Sequence, residues 1–146
     1  MRVKDYLRQY EVATRRIKRL EAKYQELNTI AGCIRSPMDT DGQPRGTISG
    51  KPTEEKAVKM ADVLLDLEKA KRDALYVQFE VFTVINKVPG VYGDVLAERY
   101  INLKTWDEVA KAVGYSVRWT HELHHRGLDY IKHTPSLYNK ALNCTL

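Results

Sequence analysis

Apolar residues recur at alternating spacings of three and four through the first part of the chain: Val3, Tyr6, Tyr10, Ala13, Ile17, Leu20, Tyr24, Leu27 and Ala31. A period of about 3.5 residues predicts a helix with a coiled-coil seam. No Gly or Pro precedes Gly32, and a glycine there can adopt the left-handed conformation that closes a helix. Most positions off the stripe are polar, so the helix needs a partner along it. Residues 36–53 then read SPMDTDGQPRGTISGKPT. Three prolines and three glycines forbid regular structure, and a flexible linker is expected.

A second long helix is predicted from about Thr53, as N-cap, to Val88. Glu54 and Glu55 suit the positive end of its dipole. Met60, Leu64, Leu67, Ala74, Val81 and Ile85 make one apolar row. Val58, Ala61, Leu65, Leu75, Phe79 and Phe82 make an adjacent one. A face this wide suits two neighbours, the first helix and something else. Pro89 and Gly90 end the helix. Residues 1–88 therefore read as an antiparallel, coiled-coil-like helical hairpin.

The last third is patterned more finely. Val95, Leu96, Tyr100 and Ile101 fit one short apolar face, broken by Asn102-Leu103-Lys104. Thr105 with Glu108 three residues on is a capping box, and Trp106, Val109, Ala110 and Val113 give that helix an inner side. Gly114 stops it. Ser116 caps a further helix over 117–132, whose inward positions are Thr120, Leu123, Gly127 and Ile131. A short capped helix, a glycine turn and a second capped helix make a helix-turn-helix over residues 89–135. The reading is thus an all-α chain: hairpin, helix-turn-helix, and a C-terminal tail over 136–146. In that tail Leu137, Tyr138 and Leu142 could dock back on the core.

The register leaves Val117, Arg118, His121, Glu122 and His125 facing out at the start of the last helix, where a recognition helix meets bases. Arg118 can bond guanine bidentately, Glu122 can accept from cytosine, and Val117 can touch a thymine methyl. Lys104, Thr105, Arg126 and Lys132 are candidates for phosphate contacts. Thr120, on the buried side, could bond the carbonyl four residues back. His124 is expected to be packed or hydrogen-bonded. DNA would favour protonated His121 and His125, so binding should tighten as pH falls towards 6.

Composition adds a mild bias. The net charge of +5 favours a polyanionic partner. Residues 2–31 hold eight Lys/Arg against four Asp/Glu, while residues 94–146 hold seven against six. No apolar run approaches the ~18 residues of a membrane span. The opening MRVKDYLRQ has no apolar core behind it, so no signal peptide is expected. Cys33 and Cys144 are too few for a disulfide framework or a cysteine zinc module. A cytoplasmic protein is expected, with no cofactor.

The stretch from Arg99 to Ile131, RYINLKTWDEVAKAVGYSVRWTHELHHRGLDYI, resembles sigma-70 region 4. It shares Thr-x-x-Glu-hydrophobic-Ala, then Gly-hydrophobic-Ser, then a helix ending in a small residue and Leu. It looks closer still to phage-encoded sigma-70 region 4-like transcription regulators, the ArpU/RinA-type group of late-gene regulators. They similarly carry an RYI-x-x-KTW-x-E opening, a GYS turn and a His-rich recognition helix. The resemblance implies a transcription regulator in a bacterial host cell that binds double-stranded DNA and could contact host RNA polymerase. By position it implicates Val117, Arg118, His121 and Glu122 in base reading. Val117 and Glu122 stand where sigma factors have longer basic or amide groups, so the resemblance implies no particular promoter sequence. The hairpin could supply a homodimer surface. Two other functions fit the pattern: a phage small terminase subunit, and a helical adaptor that binds only protein, such as RNA polymerase.

Residues 121–125 read HELHH, which satisfies the His-Glu-x-x-His pattern of zinc peptidases. A catalytic zinc needs a third protein ligand, and after Asp129 only His133 and Cys144 remain. No strand pattern exists to hold an extended substrate. The helix-turn-helix register already accounts for every position around the motif. Neither a metal site nor an enzymatic activity is expected; adventitious zinc or nickel binding is the remaining chemistry of HELHH.

Overall fold

The structure is a computed structural model that describes residues 3–32 and 51–143. Among the described residues it is all-α, with no strand. The helices are α1 (Val3–Leu7), α2 (Gln9–Gly32), α3 (Lys51–Ile85), α4 (Gly90–Tyr100), α5 (Trp106–Val113), α6 (Val117–His133) and α7 (Pro135–Asn143). The chain divides into two compact units. One holds Met1–Thr14 with Asp73–Leu146, the other Arg15–Arg72. The division does not fall after residue 88. Residues 73–88 share a core with the C-terminal helices.

The first predicted helix is interrupted once, at Arg8. The interruption is slight, because Arg8 N–H still bonds the Lys4 carbonyl and Val12 N–H bonds the Arg8 carbonyl, both at 3.1 Å. The second long helix starts earlier than the Thr53 cap implies, at Lys51. Pro52 falls in its first turn, where a missing N–H costs nothing. It also ends earlier, at Ile85, with a tightened turn in which Val88 N–H bonds the Ile85 carbonyl at 2.9 Å. The expected linker over 36–53 lies outside the described residues up to Gly50.

In the unit of residues 15–72, Ile17, Leu20, Tyr24 and Leu27 are half-buried on α2. On α3 the inner row is Met60, Val63, Leu67 and Ala70, with the last two buried. Leu64, expected in that row, is exposed, because Val63 holds the inward turn instead. A Glu21–Lys71 ion pair at 3.1 Å joins α2 to α3.

In the other unit, α4, α5 and α6 pack against one another, and α7 and α1 pack on α6 and on each other. The larger core cluster joins Tyr6 and Leu7 of α1 to Val81, Val84, Ile85 and Val88. These meet Leu96 and Tyr100 of α4, Ile131 of α6, and Leu137 and Ala141 of α7. Burying each of the larger aliphatic side chains contributes about 1.5–3 kcal/mol. The end of α3 belongs to this unit because its last inward residues, Val81, Val84 and Ile85, pack with side chains of α1, α4, α6 and α7. The C-terminal segment is a helix, not a tail: Leu137 docks as expected, while the side chain of Leu142 lies outside the described residues. A second, smaller cluster of Val95, Val109 and Leu123 sits where α4, α5 and α6 meet.

Two glycines set how closely α4 is approached. A Cβ on Gly93 would lie 2.5 Å from the Val88 carbonyl oxygen, a backbone atom that cannot step aside. A Cβ on Gly127 would meet the Leu96 side chain at 3.1 Å, which can shift. Gly93→Ala should therefore destabilise the protein by about 1–3 kcal/mol. Gly127→Ala should cost less, since the Leu96 side chain can shift while the roughly 1 kcal/mol gain in helix propensity applies to both positions. Urea unfolding of both variants checks this; equal costs would contradict the backbone clash.

Candidate nucleic-acid interface

The start of α6 is built by the turn that precedes it. Thr105 caps α5, and the Glu108 carboxylate accepts both the Thr105 backbone N–H and its hydroxyl at 2.8 Å. Those hydrogen bonds, backbone first, hold the Glu108 carboxyl below its ordinary pKa. Gly114 closes α5 in the left-handed region (φ 74°, ψ 28°), and Tyr115 N–H bonds the Ala110 carbonyl at 3.1 Å. Only glycine holds that conformation at no steric cost. Ser116 is extended, and its Oγ accepts from Trp119 N–H at 3.3 Å. Three residues, Gly114 to Ser116, thus join two capped helices. The Thr120 hydroxyl donates to the Ser116 carbonyl at 2.9 Å, the bond expected of a buried hydroxyl in this register.

The inner side of α6 is Thr120, Leu123, His124, Gly127 and Ile131, all buried. Below its first turns lies a cluster of rings. His124 is 2% exposed, and its Nε2 shares a 2.9 Å hydrogen bond with the Tyr100 hydroxyl. Trp106 meets His124 edge-on at 5.0 Å and lies against His121 at 4.1 Å between centroids. The Arg99 guanidinium sits 5.1 Å from the Trp106 ring centre. Tyr100 from α4, Trp106 from α5 and two histidines from α6 therefore fix the rotation of α6. Burial pushes the Tyr100 phenol up to about 12. Burial, reinforced by the neighbouring His125, pushes His124 down to about 4.

The residues expected to face bases divide into two groups. Val117, Arg118, Glu122 and His125 are exposed. His121 is half-buried against Trp106, which leaves only part of its ring outward. Glu122 is ion-paired with Arg126 at 3.1 Å, one turn further on. Arg118, Glu122 and Arg126 line an open recess with Ser116 and Trp119. Of the expected phosphate contacts, Lys132 and Arg126 are exposed on α6. Lys104 and Thr105 do not line the recess. Lys104 is half-buried and ion-paired with Glu98, whose carboxyl it holds below its ordinary pKa chiefly through that hydrogen bond.

Trp119 is a further surface residue of α6, outside the set expected from the sequence to face DNA. It is 43% exposed, with the Arg126 guanidinium 5.2 Å from its ring centre. The signal was present: Trp119 lies outside the inward row of Thr120, Leu123, Gly127 and Ile131, so an indole there had to be surface. Asp129 is exposed on the same side of α6, two turns beyond Glu122. The HELHH motif is dispersed: His124 is buried, His121 lies on Trp106, and Glu122 is tied to Arg126. Among the described residues, no group of three or more His, Cys, Asp or Glu is arranged to hold a metal ion. No helix among them is long and apolar enough to cross a membrane.

No family model, curated protein or solved structure matches the chain.

His124 makes stability depend on pH. Its folded pKa of about 4 lies below its ordinary value of 6.5, so the unfolded chain binds more protons in between. Stability should fall as pH drops from about 6.5 towards 4.5, by roughly 2–3 kcal/mol. That window lies above the one in which the lowered carboxyls of Glu98 and Glu108 begin to protonate. His124→Phe should flatten the slope while lowering stability at pH 7, because Tyr100 loses its partner. Denaturant titrations at pH 7, 6 and 5 measure both; an unchanged slope in the variant would assign the effect to another group.

Proposed function

We propose that α5 and α6 form a helix-turn-helix and that the protein is a sequence-specific binder of double-stranded DNA, acting as a phage or prophage transcription regulator. The observation that carries this is the three-residue, left-handed-glycine turn between two capped helices, with α6 buried on one side and exposing Arg118, Glu122 and His125 on the other. A three- to four-residue glycine turn between such helices is the geometry that presents a recognition helix to a major groove. The resemblance of residues 99–131 to sigma-70 region 4 supports the same reading. It adds host RNA polymerase as a candidate protein partner.

In this reading Arg118 and His125 reach base edges, and Val117 contributes apolar contact. The Glu122–Arg126 pair has two uses. Arg126 can leave Glu122 for a phosphate, which frees the carboxylate to accept from cytosine N4. Trp119 stacks behind Arg126 and restricts where its guanidinium can go. His121 is chiefly a packing residue that shares its ring with Trp106. Lys132 supplies charge without sequence information.

The test is enrichment of genomic DNA fragments by the intact protein at near-physiological salt. The native protein should enrich discrete sites, and Arg118→Ala should lose them, at a cost of about 1–3 kcal/mol in specific binding. Lys132→Ala should weaken all duplexes alike and lower the salt slope by about one. Sequence-blind losses from both variants would remove the base-reading role of α6. No DNA binding at all would leave the protein-binding adaptor.

A further inference from the structure

The outer side of α3 carries a second row at spacings of three and four: Val58, Ala61, Leu65, Glu68, Arg72, Leu75, Phe79 and Phe82. Its large apolar members are open to solvent, with Val58 at 56%, Leu65, Leu75 and Phe79 at 65%, and Phe82 at 47% exposed. Ala61 is exposed too, and Glu68 and Arg72 form a loose surface pair at 3.8 Å. The buried positions of the same helix, Leu67, Ala70, Ala74 and Val81, belong to another side. Single exposed apolar residues need no explanation, but a stripe of five on a heptad repeat is an unfilled coiled-coil seam.

The order of residues in the seam says what fills it. Place a twofold axis level with Ala70 and run a second α3 antiparallel to the first. Val58 then faces Phe82, Ala61 faces Phe79, and Leu65 faces Leu75. The smallest apolar residue meets a large one, so the layers keep a near-constant volume. At the centre Glu68 faces Arg72, twice. A parallel pairing would instead set Glu68 on Glu68 and Arg72 on Arg72. Lys69 and Lys71, at the two flanking positions, would each face their own copy across the axis; Lys69 has Asp66 and Asp73 one turn to either side on its own helix, and Lys71 is ion-paired with Glu21. We propose that α3 pairs with α3 of a second copy of this chain in this antiparallel register, forming a twofold dimer over about 36 Å of helix.

The proposal stands on α3 alone and does not need α6 to read DNA. If both hold, the dimer carries two copies of α6, as the reading of two half-sites requires.

Sedimentation equilibrium of the full chain at micromolar concentration tests it, with circular dichroism to confirm that each variant keeps its helix content. The native protein should weigh twice its 16.8 kDa chain mass. Phe79→Ser should be monomeric. Glu68→Arg and Arg72→Glu should each raise the dimer dissociation constant by about tenfold or more, since each places like charges in the central layers. The double exchange Glu68→Arg/Arg72→Glu should restore the native value within about threefold. A monomeric native protein, a larger ring, or a dimer indifferent to Phe79→Ser would overturn the proposal. A dimer that the single charge exchanges leave unchanged would overturn the antiparallel register, because a parallel pair has like charges in those layers already.

Discussion

α6 is held in one rotation by contacts from both helices beneath it. Leu123 packs with Val95 and Val109, and Gly127 admits the Leu96 side chain at a distance a larger residue would crowd. Ile131 is sealed in the larger core. His124 is bonded to Tyr100 and enclosed by Trp106. Turning α6 by one residue, about 100°, would bury a charged side chain and expose these. The outward set of Arg118, Glu122 and His125 is therefore a consequence of packing. Any function read from that surface inherits its definition from the buried one.

The cost of that arrangement is a buried imidazole. A leucine at position 124 would be simpler to bury, but it could neither bond Tyr100 nor present a polar edge to Trp106. The hydrogen bond offsets the desolvation of the neutral ring, and burial prevents its protonation at neutral pH. The ring cluster thus ties α4, α5 and α6 together through directional contacts, where the small Val95, Val109 and Leu123 cluster supplies only apolar area.

Much of this was legible in the sequence because α5 and α6 follow local rules. Thr105 with Glu108, Gly114, and Ser116 mark the helix ends through their own backbone chemistry, and Thr120, Leu123, Gly127 and Ile131 mark the inner side by spacing. His124 and the Thr120 back-bond followed from the same register. What spacing could not give was which apolar row finds a partner. The two rows on α3 look equally suited to burial, yet Leu67 and Ala74 are covered while Leu65 and Phe79 are open. Leu64 and Val63 differ by one position and exchange roles for the same reason. The division of the chain also depends on distant contacts: Tyr6 and Leu137 meet the end of α3 across most of the sequence. Spacing makes Lys104 a candidate for a phosphate contact, but its pairing with Glu98 depends on the bend at Leu103, whose φ of 54° no local rule requires. Residues 33–50 and 144–146, which include both cysteines, lie outside the described residues.

The most direct measurement is backbone amide chemical-shift mapping of the labelled protein titrated with a pool of random-sequence duplex DNA. Shifts should concentrate in residues 115–126, from the turn through the first half of α6, with α7 and the outer row of α3 quiet. Shifts confined to α3, or none at concentrations where a basic surface would bind non-specifically, would contradict the assignment of α6 as the DNA-reading helix.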